Sequence, residues 1–262
     1  MSLALSTISL ICYALTLWLL TGATSTQALG QRWQILSFSM VGGLFHLVAA
    51  LSTIFSGPLA DFSLFLSASL IFSVTVLLVS ISSLRHPVQS ILLVVVPIAA
   101  ILMVASLVSS PTKVSQLPAG TAAHVLFSVL AYGVITIAAS CALVLYYCSY
   151  LLKHKQIGKK LQRLPPMETI DKLLFEMIVA GEVLLSLSIL SGFLFVDDFF
   201  AQQLAHKTFF SLVSWTIFGA LLIGHYKFGW RGAKAIKWTL AGFIALLLAY
   251  VGSKFVIEWI LG

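Results

Sequence analysis

The chain has 262 residues, of which 60% are hydrophobic and only 9% are charged, and its formal net charge is +7. Soluble domains carry about 25% charged residues, and a soluble fold cannot bury this much apolar surface. The composition therefore excludes a soluble fold and predicts an all-α, polytopic membrane protein. The positive charge does not indicate nucleic-acid binding, because the basic residues cluster in two loops between apolar runs.

Apolar runs predict eight membrane-spanning helices within one integral membrane domain, residues 1–262. About 20 apolar residues cross the hydrocarbon layer, and the fifth run is longer, which indicates tilt or extension beyond the hydrocarbon. The first run has no positive n-region and no cleavage site, so we interpret it as a retained helix. The predicted helices cover about 3–21, 34–56, 63–83, 88–109, 121–152, 173–196, 207–225 and 236–261.

The distribution of Lys and Arg predicts that both termini lie on the non-cytoplasmic side, because positive residues concentrate in cytoplasmic loops. With that orientation only Lys113, Lys207 and Lys254 face outward. The other basic residues fall in predicted inner loops: Arg32, Arg85, Lys153, Lys155, Lys159, Lys160, Arg163, Lys172, Lys227, Arg231, Lys234 and Lys237.

His46 and Glu182 are ionisable residues well inside predicted helices, where such groups are costly without a partner. His46 is about 12 residues from the inner end of its helix, roughly 18 Å at 1.5 Å per residue. It is either a haem, metal or proton-relay group, or a neutral imidazole bonded to a neighbouring helix. Glu182 is either a proton-handling group or a neutral acid bonded to a Ser-rich face.

Two further histidines lie near the predicted outer face. His124 begins the fifth helix, and His206 precedes the seventh at a similar depth. Two histidines at one level on adjacent helices can bind one haem iron from both sides, so both are candidate ligands. Four-residue steps from His124 trace a polar seam, which either leads down from an outer site or mediates helix packing. The seam consists of Ser128, Tyr132, Thr136 and Ser140.

Signals for other chemistry are missing from the sequence. Cys12, Cys141 and Cys148 lie inside apolar runs, without CxxC or zinc-ligand spacing. The chain has no Walker A, HExxH, GxSxG or GxGxxG motif. The sequence therefore predicts a non-enzymatic protein whose first partner is the lipid bilayer, and no nucleic-acid partner.

Several blocks of the chain resemble the cytochrome c assembly membrane family, the CcsA/CcmC/HemX-like group. The resemblance covers residues 120–262 best, whereas the first four helices match by layout, with His46 in a similar place. Within the family, the length and the GHYKFGWRG block are most similar to the YpjD-type inner membrane proteins. The blocks are HVLFSVLAYG at 124–133, LPPMETIDKLLF at 164–175, GHYKFGWRG at 224–232 and the run that begins HKTFFSLVSW at 206.

The resemblance implies haem as a cofactor, with His124, His206 and His46 as candidate ligands of the haem iron. Better-known members handle haem at the outer membrane face, using histidines that flank a tryptophan-rich WWD segment. The corresponding stretch here, FVDDFFAQQLAHK at 195–207, is short and contains no tryptophan. The implied partners are cytochrome c assembly or haem-synthesis proteins, and the implied location is a bacterial inner membrane.

Three hypotheses follow. The first is a non-catalytic membrane protein that binds and presents haem. The second is a cofactor-free adaptor or regulator that contacts a cytoplasmic partner through the basic loops 153–172 and 226–238. The third is a proton- or ion-coupled transporter that uses His46 and Glu182.

Overall fold

The computed structural model describes residues 2–22, 28–56, 60–61, 63–109, 113–114, 119–155, 164–195 and 202–255. These ranges contain eight helices that are long and apolar enough to cross a membrane, which confirms the predicted all-α polytopic class. The helices are α1 (Ser2–Gly22), α2 (Ala28–Ile54), α3 (Leu64–Arg85), α4 (Leu92–Val108), α5 (Ala119–Lys153), α6 (Met167–Phe195), α7 (Gln202–Phe228) and α8 (Ala233–Phe255).

Two helices begin well before the apolar runs that predict them. α2 begins at Ala28 rather than near residue 34, and α6 begins at Met167 rather than near residue 173. Their first turns are polar, and polar turns can extend a spanning helix beyond the hydrocarbon layer. Hydropathy alone therefore underestimates the length of both helices.

Arg32 in the early part of α2 ties that helix to the end of α3. Its Nη2 donates to the carbonyl oxygens of Ser83 at 2.6 Å and Leu84 at 3.3 Å. Carbonyls in the last turn of a helix have no partner within the helix, so a cation there supplies hydrogen bonds and offsets the dipole. The hydrogen bonds of Arg32 thus help to hold α2 against the end of α3.

Consecutive helices pair, and α5 lies at the centre of the bundle. The most extensive helix contact joins α5 to α6, followed by α1 with α2 and α7 with α8. α5 also packs against α3 and α8, so it connects the N-terminal group α1–α4 to the C-terminal group α6–α8. Residues 131–142 of α5 are buried without interruption. This helix is accordingly the core of the molecule.

The α2–α3 and α4–α5 loops meet in a two-residue antiparallel ladder. Strand β1 (Ala60–Asp61) pairs with β2 (Lys113–Val114), with Ala60 opposite Val114 and Asp61 opposite Lys113. The sequence predicted only turn or loop structure at both places. The ladder lies at the end of the bundle where α5 begins, which we call the His124 end.

The opposite end, here called the hairpin end, holds the turn between α7 and α8. Gly229 and Gly232 have φ angles of +66° and +57°, a left-handed conformation that a glycine adopts without strain. The ring of Trp230 packs directly against the α carbon of Gly224, where a β carbon would collide with it. Lys234 lies over the same ring, 5.3 Å from its centroid. The basic loop predicted at 226–238 therefore contains a compact turn.

Candidate functional site

Two adjoining cavities lie at the His124 end, and His124 lines both of them. The larger, of about 230 Å³, lies between α5, α6 and α7, and the smaller, of about 170 Å³, lies between α5, α3 and α8. Together we call them the His124 cavity. The residues common to both walls are His124, Val125, Ser128, Tyr132 and Lys207.

The imidazole of His124 is oriented by a backbone carbonyl. Its Nδ1 lies 2.8 Å from the carbonyl oxygen of Ser188 in α6. A carbonyl can only accept a hydrogen bond, so Nδ1 carries the proton and donates it. In the neutral ring Nε2 then keeps its lone pair, which is the arrangement found in metal-binding histidines. His124 therefore presents a ligand nitrogen at a cavity wall.

A serine pair holds α5 and α6 together beside this histidine. The hydroxyls of Ser128 and Ser188 lie 2.7 Å apart, and Ser128 also donates to the carbonyl of His124 at 2.7 Å. The carbonyl that orients His124 belongs to the same residue, Ser188. The position of the imidazole is thus set by the contact between the two most tightly packed helices.

The polar seam predicted on α5 divides into two parts. Ser128 and Tyr132 line the cavity, and Tyr132 donates to the carbonyl of Leu246 in α8 at 3.1 Å. Thr136 and Ser140 instead donate to carbonyls of their own helix, at 2.7 and 2.8 Å, and are buried. The two residues of the seam nearest His124 therefore belong to the site, whereas the other two contribute to packing within the bundle.

Lys207 brings positive charge to the same cavity. It lies in the first turns of α7, partly buried, on the wall that faces His124. The preceding residue, His206, belongs to the α7 backbone, but its side chain lies outside the described part of the structure. That the side chain of His206 reaches the cavity therefore stays a prediction.

His46 has a different environment. Its side chain is 1% exposed and lies between α1, α2 and α3. The hydroxyl of Tyr13 lies 3.0 Å from Nδ1, and that of Ser69 lies 2.6 Å from Nε2. Both ring nitrogens are therefore engaged, one donating and one accepting. This geometry favours the interpretation as a neutral imidazole that links three helices.

Glu182 lies in the contact between α6 and α7. Its Oε2 is buried and has no hydrogen-bond partner within the described residues. Its Oε1 lies beside Gly219 of α7, where an added β carbon would be 3.4 Å away. The sequence left open whether Glu182 handles protons or hydrogen-bonds to a serine-rich face. The structure shows no hydrogen bond from Oε2 to a serine among the described residues.

A larger cavity, of about 540 Å³, occupies the hairpin end, and sequence reasoning missed it. It lies between the first turns of α6 and the end of α7, and we call it the hairpin cavity. His225 stacks on Phe175, with ring centroids 3.5 Å apart, and its Nδ1 donates to the carbonyl of Trp230 at 2.9 Å. A signal was present in the spacing, because Glu168, Asp171, Lys172 and Glu176 lie close together in METIDKLLFE. We interpreted this segment as a loop, which hid the helical face.

The described residues contain no group of three or more His, Cys, Asp or Glu placed to hold a metal ion. A haem iron needs only one or two axial ligands, because the macrocycle supplies four nitrogens. At the His124 cavity, the described lining residues offer one imidazole, that of His124, as a ligand of this kind.

The family model described as "Cytochrome C assembly protein" matches residues 4–261. The chain belongs to the cytochrome c assembly protein family. The match extends over all eight helices, including the first four, for which sequence reasoning offered only a shared layout. The protein is therefore a multi-pass membrane protein of this family.

Curated relatives match about half of the chain. The inner membrane protein YpjD of Escherichia coli K12 is 35% identical over 137 residues, which are 52% of each chain. An uncharacterized 28.8 kDa protein of Azospirillum brasilense is 30% identical over 141 residues, 53% of this chain and 52% of the relative. The cytochrome c biogenesis protein CcsA of Gloeobacter violaceus is 27% identical over 103 residues, 38% of this chain and 30% of the relative. No solved structure matches the chain.

Proposed function

We propose that the protein binds haem at the His124 cavity and presents it there without making or breaking a covalent bond. The observation that carries the proposal is the hydrogen bond from His124 Nδ1 to the carbonyl of Ser188, 2.8 Å long. It fixes the tautomer in which Nε2 is the free ligand nitrogen, and it fixes the plane of the ring.

The other residues at the cavity suit the chemistry of haem. Lys207 offers a positive charge to the propionate carboxylates. Val125, Leu185 and Ile189 provide apolar surface for the macrocycle. The two parts of the cavity, about 230 and 170 Å³, are smaller than the 300–1,000 Å³ of typical small-molecule sites. The cavity would therefore hold only part of a haem, next to His124, and the rest would stay accessible for transfer.

His206 is the proposed second ligand, and His46 is the weaker candidate. His206 directly precedes Lys207, which lines the cavity. His46 would have to give up a hydrogen bond to either Tyr13 or Ser69 before it could bind iron. Haem, when bound, supplies redox-active iron; the chain's own contribution is to hold, orient and charge-balance it.

The proposal extends to location and partners. The relative from Escherichia coli is named as an inner membrane protein and the relative from Gloeobacter violaceus as a cytochrome c biogenesis protein. We propose a bacterial inner membrane as the location, and cytochrome c assembly or haem-synthesis proteins as partners. The predicted orientation places the His124 end on the outer face.

A visible spectrum tests the proposal. The full-length protein is purified in mild detergent and titrated with haemin, beside His46→Ala, His124→Ala and His206→Ala. We expect a stoichiometric Soret band that is lost in His124→Ala and shifted or weakened in His206→Ala. A folded wild-type protein that takes up no haem would overturn the proposal.

A further inference from the structure

Glu182 is an acidic side chain in the middle of α6, and the described residues offer its buried Oε2 no hydrogen-bond partner. Between Glu176 and Phe195, α6 carries no other titratable side chain. α7, which packs against it, has none from Thr208 to Gly224. An unpaired carboxylate inside a membrane is costly, and such residues usually mark proton or ion pathways.

The remaining titratable groups near Glu182 lie on the two helices that pack against α6, which are α5 and α7. On α5, the segment 125–145 has only Tyr132 and Cys141 as titratable side chains. On α7, the charged or titratable residues nearest to Gly219 are Lys207 and His225, roughly 18 and 9 Å away along the helix axis. Neither is close enough to neutralise the carboxylate by direct contact. The carboxyl therefore exists as a neutral acid or exchanges a proton with its surroundings.

The two cavities approach Glu182 from opposite ends of the same helix. The hairpin cavity reaches Val179 and Ala180, and the His124 cavity reaches Leu185 and Ser188. Both walls come within about three residues of Glu182, which is about 4.5 Å along the axis. Glu182 lines neither cavity, but it lies on α6 between the residues that line the one and the residues that line the other.

The hairpin cavity has the groups that exchange protons readily with water. Glu168, Asp171 and Glu176 line it together with His225. The side chain of Glu176 is 45% exposed, and its ion pair with Lys172 is long, at 3.9 Å. Asp171 is paired with Arg231 at 3.9 Å and is only 20% exposed, so Glu176 is the more accessible of these two carboxylates at that opening.

We propose that Glu182 is the proton-binding group of a transfer path that joins the hairpin cavity to the His124 cavity through the contact between α6 and α7. In one step the carboxylate takes a proton from one cavity and becomes the neutral acid. In the next step it releases that proton to the other cavity and the carboxylate is regenerated. Only O–H bonds break and form, and each cycle moves one proton from one cavity to the other.

Gly219 provides the space that this exchange requires. A β carbon there would lie 3.4 Å from Glu182 Oε1, in ordinary contact and without collision. Gly219→Ala therefore keeps the carboxyl and the fold but fills the space beside the acid. It is the matched variant for Glu182→Gln, which removes the exchangeable carboxyl proton.

The first test is labelling with dicyclohexylcarbodiimide, which adds to protonated carboxyls in apolar surroundings, followed by peptide mass spectrometry. We expect an adduct on Glu182 that decreases as the pH is raised, and slower labelling in Gly219→Ala. Glu176 is the internal control, because water hydrolyses the carbodiimide adduct of an exposed carboxyl before it rearranges to a stable product. A folded protein without an adduct on Glu182 would overturn proton binding at this site.

The second test measures proton movement in proteoliposomes that contain a pH-sensitive dye and carry a potassium diffusion potential. We expect faster proton entry than in protein-free vesicles, reduced in Gly219→Ala and abolished in Glu182→Gln. Equal rates in wild type and Glu182→Gln, or no entry above the protein-free level, would overturn the path. Neither test uses haem, so their outcomes are independent of the proposed haem site.

Discussion

His46 and His124 are both histidines in membrane helices, but their surroundings give them different chemistry. His46, in the N-terminal helices, has a hydroxyl at each ring nitrogen and is 1% exposed. His124, in the C-terminal helices, donates from Nδ1 to a carbonyl and lines a cavity. The partners of the ring nitrogens thus separate a histidine that links helices from one whose Nε2 is left for the proposed ligand.

The largest expected difference in the free energy of unfolding is between the alanine variants of these two histidines. His46→Ala removes a buried ring and leaves the hydroxyls of Tyr13 and Ser69 without their partner, so we expect a loss of about 3–5 kcal/mol. His124→Ala removes one hydrogen bond from a partly exposed ring, and we expect a loss of about 1 kcal/mol.

Thermal unfolding in detergent measures both variants. A thiol-reactive dye reports it, because Cys12, Cys141 and Cys148 are free and buried. If His124→Ala were the more destabilised of the two, the contrast between a structural and a ligand-presenting histidine would be wrong.

The next largest expected difference in the free energy of unfolding is between alanine substitutions at two glycines. A β carbon at Gly42 would lie 2.9 Å from the ring of Tyr13 and 3.0 Å from the β carbon of Cys12. Gly42→Ala should therefore destabilise the N-terminal helices by about 1–3 kcal/mol through overpacking. At Gly219 the added carbon fits, and Gly219→Ala should be neutral or stabilising by up to about 1 kcal/mol, because alanine favours the helix.

The same unfolding assay checks the sign of each change. Gly22→Ala is a suitable control, because a β carbon at Gly22 meets nothing within 4 Å. A destabilised Gly219→Ala would contradict the open space that the structure shows beside Glu182.

A smaller contrast is expected between two buried serines. Ser69 contacts His46 at 2.6 Å, so Ser69→Ala leaves an imidazole nitrogen unpaired in the core and should cost about 1–2 kcal/mol. Ser188→Ala removes a hydroxyl whose partner, Ser128, also donates to the carbonyl of His124. Its expected cost is below about 1 kcal/mol.

Haem titration distinguishes the serines further. Ser188→Ala keeps the backbone carbonyl that orients His124, so its haem affinity should be close to that of the wild type. A large loss of affinity in Ser188→Ala would show that the hydroxyl, rather than the carbonyl, positions the ligand.

The smallest effect is expected at the hairpin end. The Lys172–Glu176 pair is 3.9 Å long, with side chains 71% and 45% exposed, and such pairs contribute little. We expect Lys172→Gln to change the free energy of unfolding by less than about 0.5 kcal/mol, as checked by the same assay. A change above about 1 kcal/mol would mean that this surface is packed more tightly than its exposure indicates.

Hydropathy was sufficient to predict the eight helices because each apolar run is long enough to cross a membrane. It could not predict where α2 and α6 begin, since Arg32 and the METIDK turn are polar, and the carbonyls that hold Arg32 are at the end of α3. The candidate site was predicted in part. His124 was found from its place at the end of a helix, but its Ser188 partner is 64 residues away and depends on the packing of α5 with α6.

The hairpin cavity could not be predicted from local sequence. Local sequence shows that His225 is near the end of a helix, but it cannot assign His225 to a cavity, because its partners, Phe175 and Trp230, come from two separate segments. Glu182 was recognised as unusual from sequence, but only the neighbouring helix shows that Gly219 leaves space beside it. In both cases local sequence identified the residue, and tertiary packing determined its environment.

Imidazole rescue of His124→Ala tests the central claim most directly. The truncated side chain leaves room for free imidazole at the position of the ligand nitrogen. The account predicts that His124→Ala with haemin shows no six-coordinate Soret band, and that added imidazole restores it, whereas His46→Ala does not depend on imidazole. Haem binding by His124→Ala that equals the wild type without imidazole would contradict the account.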